Sequence, residues 1–211
     1  MGISVALRAA RAGLVAALLG AVLTGCSSGP VPDERSYVER VAAGRAAKDR
    51  MFRESSESPI PPDKRETLLP LTYYPVDPSF SVPAALKLAT ERPVFEMPTS
   101  TGTIRKYQHV GTLEFSYKGQ PLSLGAFSEA GTKQITSLFV PFADMTTGTE
   151  TYSAGRYLDL EPTGTGIYEI DFNQAYNPYC AYNASYECPY PPASNRLKVA
   201  VRAGERMKSG T

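Results

Sequence analysis

The chain has 211 residues, 22 Lys+Arg against 21 Asp+Glu, 13 tyrosines and no tryptophan. That balance excludes a nucleic-acid binder, which needs a basic face or stripe. One histidine and three cysteines are too few soft ligands for a zinc centre, so no cofactor is expected. The length suits one domain with a real core, and 18 prolines and 17 glycines point to many turns.

Residues 1–25 read as a lipoprotein signal peptide. Arg8 and Arg11 supply the positive start, and residues 12–23 form an apolar run too short to span a bilayer. Leu23-Thr24-Gly25-Cys26 has the form of a lipobox, in which Cys26 receives the acyl chains. Two or more chains suffice for stable anchoring, at about 0.8 kcal/mol per buried CH₂. Ser27-Ser28-Gly29 and Pro30 to Pro32 follow as a tether, residues 26–32. The expected location is therefore exported and lipid-anchored to the cell envelope. Ser27 is not the aspartate that signals inner-membrane retention, so in a Gram-negative cell the outer membrane is expected. Removing residues 1–25 leaves 20 basic against 21 acidic residues, a net −1.

Residues 33–57 are predicted to be an N-terminal helical segment. Asp33 stands as its N-cap, and Val38, Val41, Ala42, Met51 and Phe52 form a broken apolar stripe. Ser58 to Asp63, with three prolines, ends it, and one short helical turn is expected over 64–69. Residues 58–211 form the β-rich domain. Leu113 to Tyr117 alternate, and Leu122 and Leu124 continue after Lys118-Gly119, which predicts a hairpin. Ile135 to Phe142 is a continuously apolar run, expected to be a central strand. Arg156 to Leu160 and Ile167 to Phe172 flank Pro162 to Gly166, predicting a second hairpin. Leu197, Val199 and Val201 alternate with Lys198 and Arg202, predicting a final half-buried strand. The fold class expected is mainly β, an antiparallel barrel or sandwich-like single domain behind the helix.

Cys26 is taken by the anchor, which leaves Cys180 and Cys188 as an even pair in an oxidising compartment. A disulfide is the expectation.

Polar residues crowd the stretch from Asp144 to Glu205. It holds Thr149 to Tyr152, Gly155-Arg156-Tyr157, Asp171-Phe172-Asn173, Tyr176-Asn177-Pro178, Cys180-Ala181-Tyr182, Asn195-Arg196 and Ala203-Gly204-Glu205. With Arg50 to Phe52, Ser58 to Ile60, Tyr73 to Pro78 and Leu138 to Phe142, these motifs resemble a bacterial family known as domain of unknown function 1684. The resemblance covers roughly residues 48 to 206. It implies a β-rich fold and brings no reaction, substrate or cofactor. At Ser194 the family pattern more often has a glutamate.

The chemistry must therefore be read from residues. Asp144, Glu150, Tyr152, Arg156, Asp171, Asn173, Asn177, Tyr182, Asn195 and Glu205 form a polar cluster with two open readings. In one it is a structural network in which a buried Arg156 pairs with Asp144, Glu150, Asp171 or Glu205. In the other Arg156 points into a cleft and holds a ligand. Tyr176, Tyr179, Tyr182, Tyr186 and Tyr190, crowded into one loop, offer rigid contact area for an envelope glycan or a protein partner, or cover the core. No Gly-x-Ser-x-Gly elbow occurs, and His109 lies beside Gly111 as a surface residue at a turn. The leading expectation is a non-catalytic binding or scaffolding module of the envelope. The alternative is a metal-independent hydrolase of envelope glycan or a small ester, using acidic residues such as Glu150 and Asp171.

Overall fold

The computed structural model describes residues 33–208. The chain divides into Met1–Glu34 and Arg35–Thr211, and every helix and strand below belongs to the second unit. The stretches read above as signal peptide and tether, with Cys26, lie outside the described residues.

Helix α1 spans Tyr37–Glu54 and is capped by Ser36, not Asp33. Ser36 wins because Glu39 stands three residues on. Ser36 Oγ accepts from the Glu39 amide at 3.3 Å, and the Glu39 carboxylate accepts from the Ser36 amide at 2.8 Å. Two orphan donors are met at once. Only Val41 and Phe52 of the helix are buried, so polar arms secure it. Tyr37 donates to Asp171 at 2.8 Å, and Arg45 to the carbonyls of Tyr74 and Asn173 at 2.9 and 3.1 Å. Asp49 accepts from the Leu71 amide at 2.9 Å, and Lys48 pairs with Glu205. The expected turn after the prolines is α2, Arg65–Leu68. No helix among the described residues is long and apolar enough to cross a membrane.

Seven strands make one antiparallel sheet curled into a half-barrel: β1 Ser81–Leu88, β2 Val94–Pro98, β3 Ile104–Tyr117, β4 Gln120–Glu129, β5 Leu138–Phe142, β6 Arg156–Leu160 and β7 Ile167–Asp171. Their order is β6-β5-β4-β3-β1-β7, with β2 pairing β3. The mainly β class with an N-terminal helix is thus the observed one. The β3–β4 hairpin turns on Lys118 and Gly119, both at positive φ (50° and 77°), as a two-residue primed turn requires. His109 lies within β3, at a register shift before Gly111, rather than at a turn.

Three further expectations need correction. β6 and β7 do not form a hairpin; they lie at opposite ends of the strand order. A flat sheet of six strands would hold its edges about 24 Å apart. Six residues (161–166), folded back by the Thr163 hydroxyl bond to the Ile167 carbonyl, fit only a curled sheet. A turn signal reports a chain reversal, not which strands pair. Second, β5 is not central; it lies beside the edge strand β6 and meets β4 through one ladder pair, Phe127 with Phe139. Third, Leu197 to Val201 form no strand. The alternation is real, since Leu197 and Val201 are buried, but backbone bonds of 195–199 go to Ala143 and Met145, just past β5, through a single isolated bridge, and the Val201 carbonyl is taken by Arg156.

Val140, Phe142, Leu158, Leu113, Leu124, Ile170 and Phe172 fill the inner face of the half-barrel. The β4–β5 gap is closed by Asn195, which is fully buried. Its amide accepts from the Gly125 N–H at 2.7 Å and donates to the carbonyls of Gly125 and Pro141 at 2.9 and 2.7 Å. The side chain acts as a rung between strands that the ladder leaves apart. A Cβ at position 125 would lie 3.1 Å from Asn195 Oδ1 and 3.2 Å from the Phe127 ring, closer than ordinary contact.

Candidate functional site

Arg156 begins β6 on the core face and is 1 % exposed. Its guanidinium pairs with Asp144 at 3.0 Å and donates to the carbonyls of Val201 (2.8 Å), Glu205 (3.1 Å) and Ala203. Alternate carbonyls of an extended segment face one way, so the planar fork stands in for a neighbouring strand. Asp144 also accepts from the Thr146 amide and hydroxyl at 2.9 and 2.6 Å and from the Val201 amide at 2.9 Å. Burial lowers the Arg156 pKa, and Asp144 opposes that shift. The group faces the core and meets four protein acceptors there, so this part of the cluster acts as a brace.

Glu205 is the centre of a second network. Its carboxylate pairs with Lys48 and accepts from the Tyr182 hydroxyl and, at 2.9 Å, the Asn177 amide. Burial, then the neighbouring Glu205 charge, drives the Tyr182 pKa far up. Gly204 before it sits at φ +76°, and a Cβ there would meet the Ala175 carbonyl oxygen at 2.5 Å. Asp171 and Asn173 form a third group. Asn173 exchanges bonds with the Asp77 backbone at 3.0 and 2.8 Å, and Asp171 accepts from Tyr37. Glu150 stands elsewhere, gripped by Arg202 at 2.7–3.0 Å and by the Tyr74 hydroxyl at 3.0 Å. The Arg202 bonds hold its pKa below the ordinary carboxylate value, and the Tyr74 hydroxyl pKa is pushed up to about 12, first by burial. The ten clustered residues thus separate into distinct groups rather than one site.

The main cavity, about 510 Å³, lies on the outer face of the sheet. Tyr107 of β3, Phe139 of β5 and Tyr157 of β6 form its floor, and Phe139 stacks on Tyr107 with centroids 5.2 Å apart. Met51 and Phe52 of α1 and the loop residues Tyr176, Tyr179 and Tyr186 form its walls. Tyr179 is 42 % exposed and meets Phe52 and Tyr186 edge-on. Lys48, Arg105, Asp159 and Glu187 supply the charged lining, two of each sign. Asp159 accepts from Tyr176 at 2.6 Å, and Lys48 lies over the Tyr176 ring at 5.0 Å.

The loop tyrosines divide between the two roles considered. Tyr182 is buried against Phe52 and covers a small core; Tyr176, Tyr179 and Tyr186 face the cavity; Tyr190, 40 % exposed, does not line it. Composition missed Tyr107, Phe139, Arg105, Asp159 and Lys48. One signal was present: β5 is apolar on both faces, which means that its outer face is also covered.

Cys180 and Cys188 are buried beneath this wall as adjacent thiols. The Cys180 amide donates to Cys188 Sγ at 3.1 Å, and Ser100 Oγ accepts from the Cys188 amide at 3.1 Å. The hydrogen bond between the thiols, then the Tyr152 and Ser100 hydroxyls, lowers the first ionisation to about 6 at Cys180 and pushes the second up. Tyr152 thus belongs to the thiol pair. Among the described residues no group of three or more His, Cys, Asp or Glu is placed to hold a metal.

Fold and site define an antiparallel half-barrel braced by a buried arginine, with an aromatic cleft on its outer face. The chain belongs to the family described as Protein of unknown function (DUF1684), which matches residues 67–206. It is similar to the solution NMR structure of the uncharacterized protein from gene locus rrnAC0354 of Haloarcula marismortui. The identity is 40 %, the TM-score 0.66, and the match covers 82 % of this chain and 95 % of that one. No curated protein matches the chain. Helix α1, and with it Lys48, Met51 and Phe52, lies before the span matched by the family.

Proposed function

We propose that the protein is a lipid-anchored, non-catalytic binding module of the cell envelope that holds its ligand in the aromatic cleft. The observation that carries this reading is the cleft itself. It joins about 510 Å³ of open volume to rigid aromatic walls and a few polar groups, the usual make-up of a ligand site. The lipobox at Cys26 supports the anchoring. The hydrolase alternative is less favoured, since a general acid needs a raised pKa. Glu150 is shifted the other way by Arg202, and Asp171 is held by Tyr37 and Asn173 in a separate group. A thermal-shift ligand screen on wild type and Tyr179→Ala tests the reading. Tyr179 is 42 % exposed and packs edge-on on Phe52 and Tyr186, so the variant should stay folded and melt only slightly below wild type. Ligands that raise the wild-type melting temperature should lose that effect. Equal shifts in both proteins would place binding elsewhere.

A further inference from the structure

The cleft carries one charge that the protein leaves unmatched. Successive residues of β6 point to opposite faces of the sheet. Arg156 and Leu158 face the core, so Tyr157 and Asp159 face outward into the cleft. Asp159 is the ladder partner of Phe139, which sets the two side chains next to each other on that face. Asp159 is exposed and accepts a bond from the Tyr176 hydroxyl at 2.6 Å. Among the described residues it forms no ion pair, whereas the other charged lining residues all do. Lys48 pairs with Glu205, and Arg105 lies 3.4 Å from Glu129 and 3.6 Å from Glu187. With these partners counted, four carboxylates stand against two cations.

The rings beside Asp159 suit a positive group. Phe139 meets Tyr157 at 77° and Tyr157 meets Tyr176 at 89°, with centroids 4.8 and 5.8 Å apart. Rings set at right angles turn their electron-rich faces in different directions, and such faces attract cations. Lys48 already uses two of the cleft rings in this way: its ammonium lies 5.2 Å from the Phe52 centroid and 5.0 Å from that of Tyr176. An anionic ligand would have to break the Lys48 or Arg105 pairs and approach Asp159. A neutral one leaves the Asp159 charge unmatched. A cation reaches Asp159 and the ring faces with every existing pair kept. The donors narrow the choice further. A primary ammonium brings three N–H groups that each need an acceptor, and Asp159 already serves Tyr176. A methylated ammonium brings no donors and a larger apolar surface for the rings.

Resting on the cleft reading above, we infer that the ligand is a methylated ammonium cation, held by Asp159 and by the ring faces of Phe139, Tyr157 and Tyr176. A small solute or the headgroup of a choline lipid would supply the same group. Calorimetric titration of the full-length protein in an uncharged maltoside detergent tests this. The probes are choline, its neutral carbon isostere dimethylbutanol, ethanolamine and glycerophosphocholine. The isostere keeps the shape without the charge, and ethanolamine keeps the charge without the methyl groups. Choline should bind at least about tenfold more tightly than either. Asp159→Asn keeps an acceptor for Tyr176, so its melting temperature should stay at the wild-type value. It should weaken choline by about fivefold, the upper end for an exposed ion pair, and leave the isostere unchanged. Glycerophosphocholine binding more tightly than choline makes the source a lipid headgroup; the reverse order makes it a free solute, and either order carries the inference. Isostere or ethanolamine binding as tight as that of choline overturns it. So does choline binding that responds to Tyr179→Ala but not to Asp159→Asn, or a Tyr179-dependent ligand that is neutral or anionic where choline fails; the cleft reading then stands. Choline binding insensitive to both substitutions, or no binding of choline and no Tyr179-dependent ligand of any charge, overturns both.

Discussion

Replacing Arg156 by alanine tests the brace directly. The side chain is 1 % exposed, and the Asp144 side chain is fully buried beside it. Removing one partner of a buried ion pair costs about 3–5 kcal/mol, because the other charge is left uncompensated. Asp144 keeps its Thr146 and Val201 donors, which softens the electrostatic part. Against that, the carbonyls of Val201, Ala203 and Glu205 lose their charged donor. Each buried polar group left unsatisfied costs roughly 1–3 kcal/mol. Relaxation keeps these terms from adding, and a net loss of about 3–5 kcal/mol is expected, a large share of the roughly 5–15 kcal/mol of a typical domain. Arg156→Lys should fall between, since an ammonium cannot span a carboxylate and three carbonyls with one planar fork. Urea denaturation at neutral pH measures all three proteins, with the slope of each transition checked for constancy. The double variant Arg156→Met with Asp144→Leu should lose less than the two single losses together. An Arg156→Ala loss under about 1 kcal/mol would refute the brace and return the guanidinium to a ligand role, since a buried pair so broken costs about 3–5 kcal/mol.

Other outcomes follow from separate features. Cys180 and Cys188 are free thiols in this structure, and under the export proposed above they are expected to be disulfide-bonded in an oxidising compartment. Intact mass before and after reduction decides this, and Cys180→Ser should cost about 2–3 kcal/mol for so short a loop. In reduced protein the depressed Cys180 value means that thiolate is present above about pH 6 and is lost as pH falls through it. Alkylation at Cys180 should therefore be well under way at pH 7 and fade below pH 6, as mass spectrometry would show; an onset near pH 9 contradicts it. Asn195→Ala should cost about 3 kcal/mol, one for each of its bonds, and speed hydrogen exchange at the Gly125 amide; unchanged exchange there would deny the rung. Cys26→Ser should leave the melting temperature unchanged and move the protein out of the membrane fraction, while equal fatty-acid labelling of variant and wild type would count against the anchor.

The strand-forming stretches were legible because alternation is a local property. The β3–β4 hairpin could be read from Lys118-Gly119, where two residues must both take positive φ. Pairing between distant strands was not legible. Nothing near Pro162 to Gly166 says that β6 and β7 lie at opposite ends of a curled sheet. The Leu197 to Val201 alternation was legible, but its partners were not: its backbone bonds go to Ala143 and Met145, and the Val201 carbonyl to Arg156, a residue forty-five positions away. The pairing of Arg156 with Asp144 could be anticipated from charge, since a buried guanidinium needs a carboxylate. The cleft could not be. Its floor comes from outward positions of three strands and its wall from α1, and only tertiary structure brings these together.

Helix α1 also sets a load path. Its first residue, Tyr37, and the cleft-wall residue Phe52 are fifteen positions apart, about 22 Å along the axis. A pull on the chain ahead of Ser36 enters the domain at the end of the helix remote from the cleft. On the way it meets Tyr37 on Asp171, Arg45 on the Tyr74 and Asn173 carbonyls, Lys48 on Glu205 and Asp49 on the Leu71 amide. These contacts lie along the helix between the point of entry and Phe52. Under the anchoring proposed above, Tyr37 and Arg45 would take the load before it reaches Lys48 and Phe52, helix residues that line the cleft.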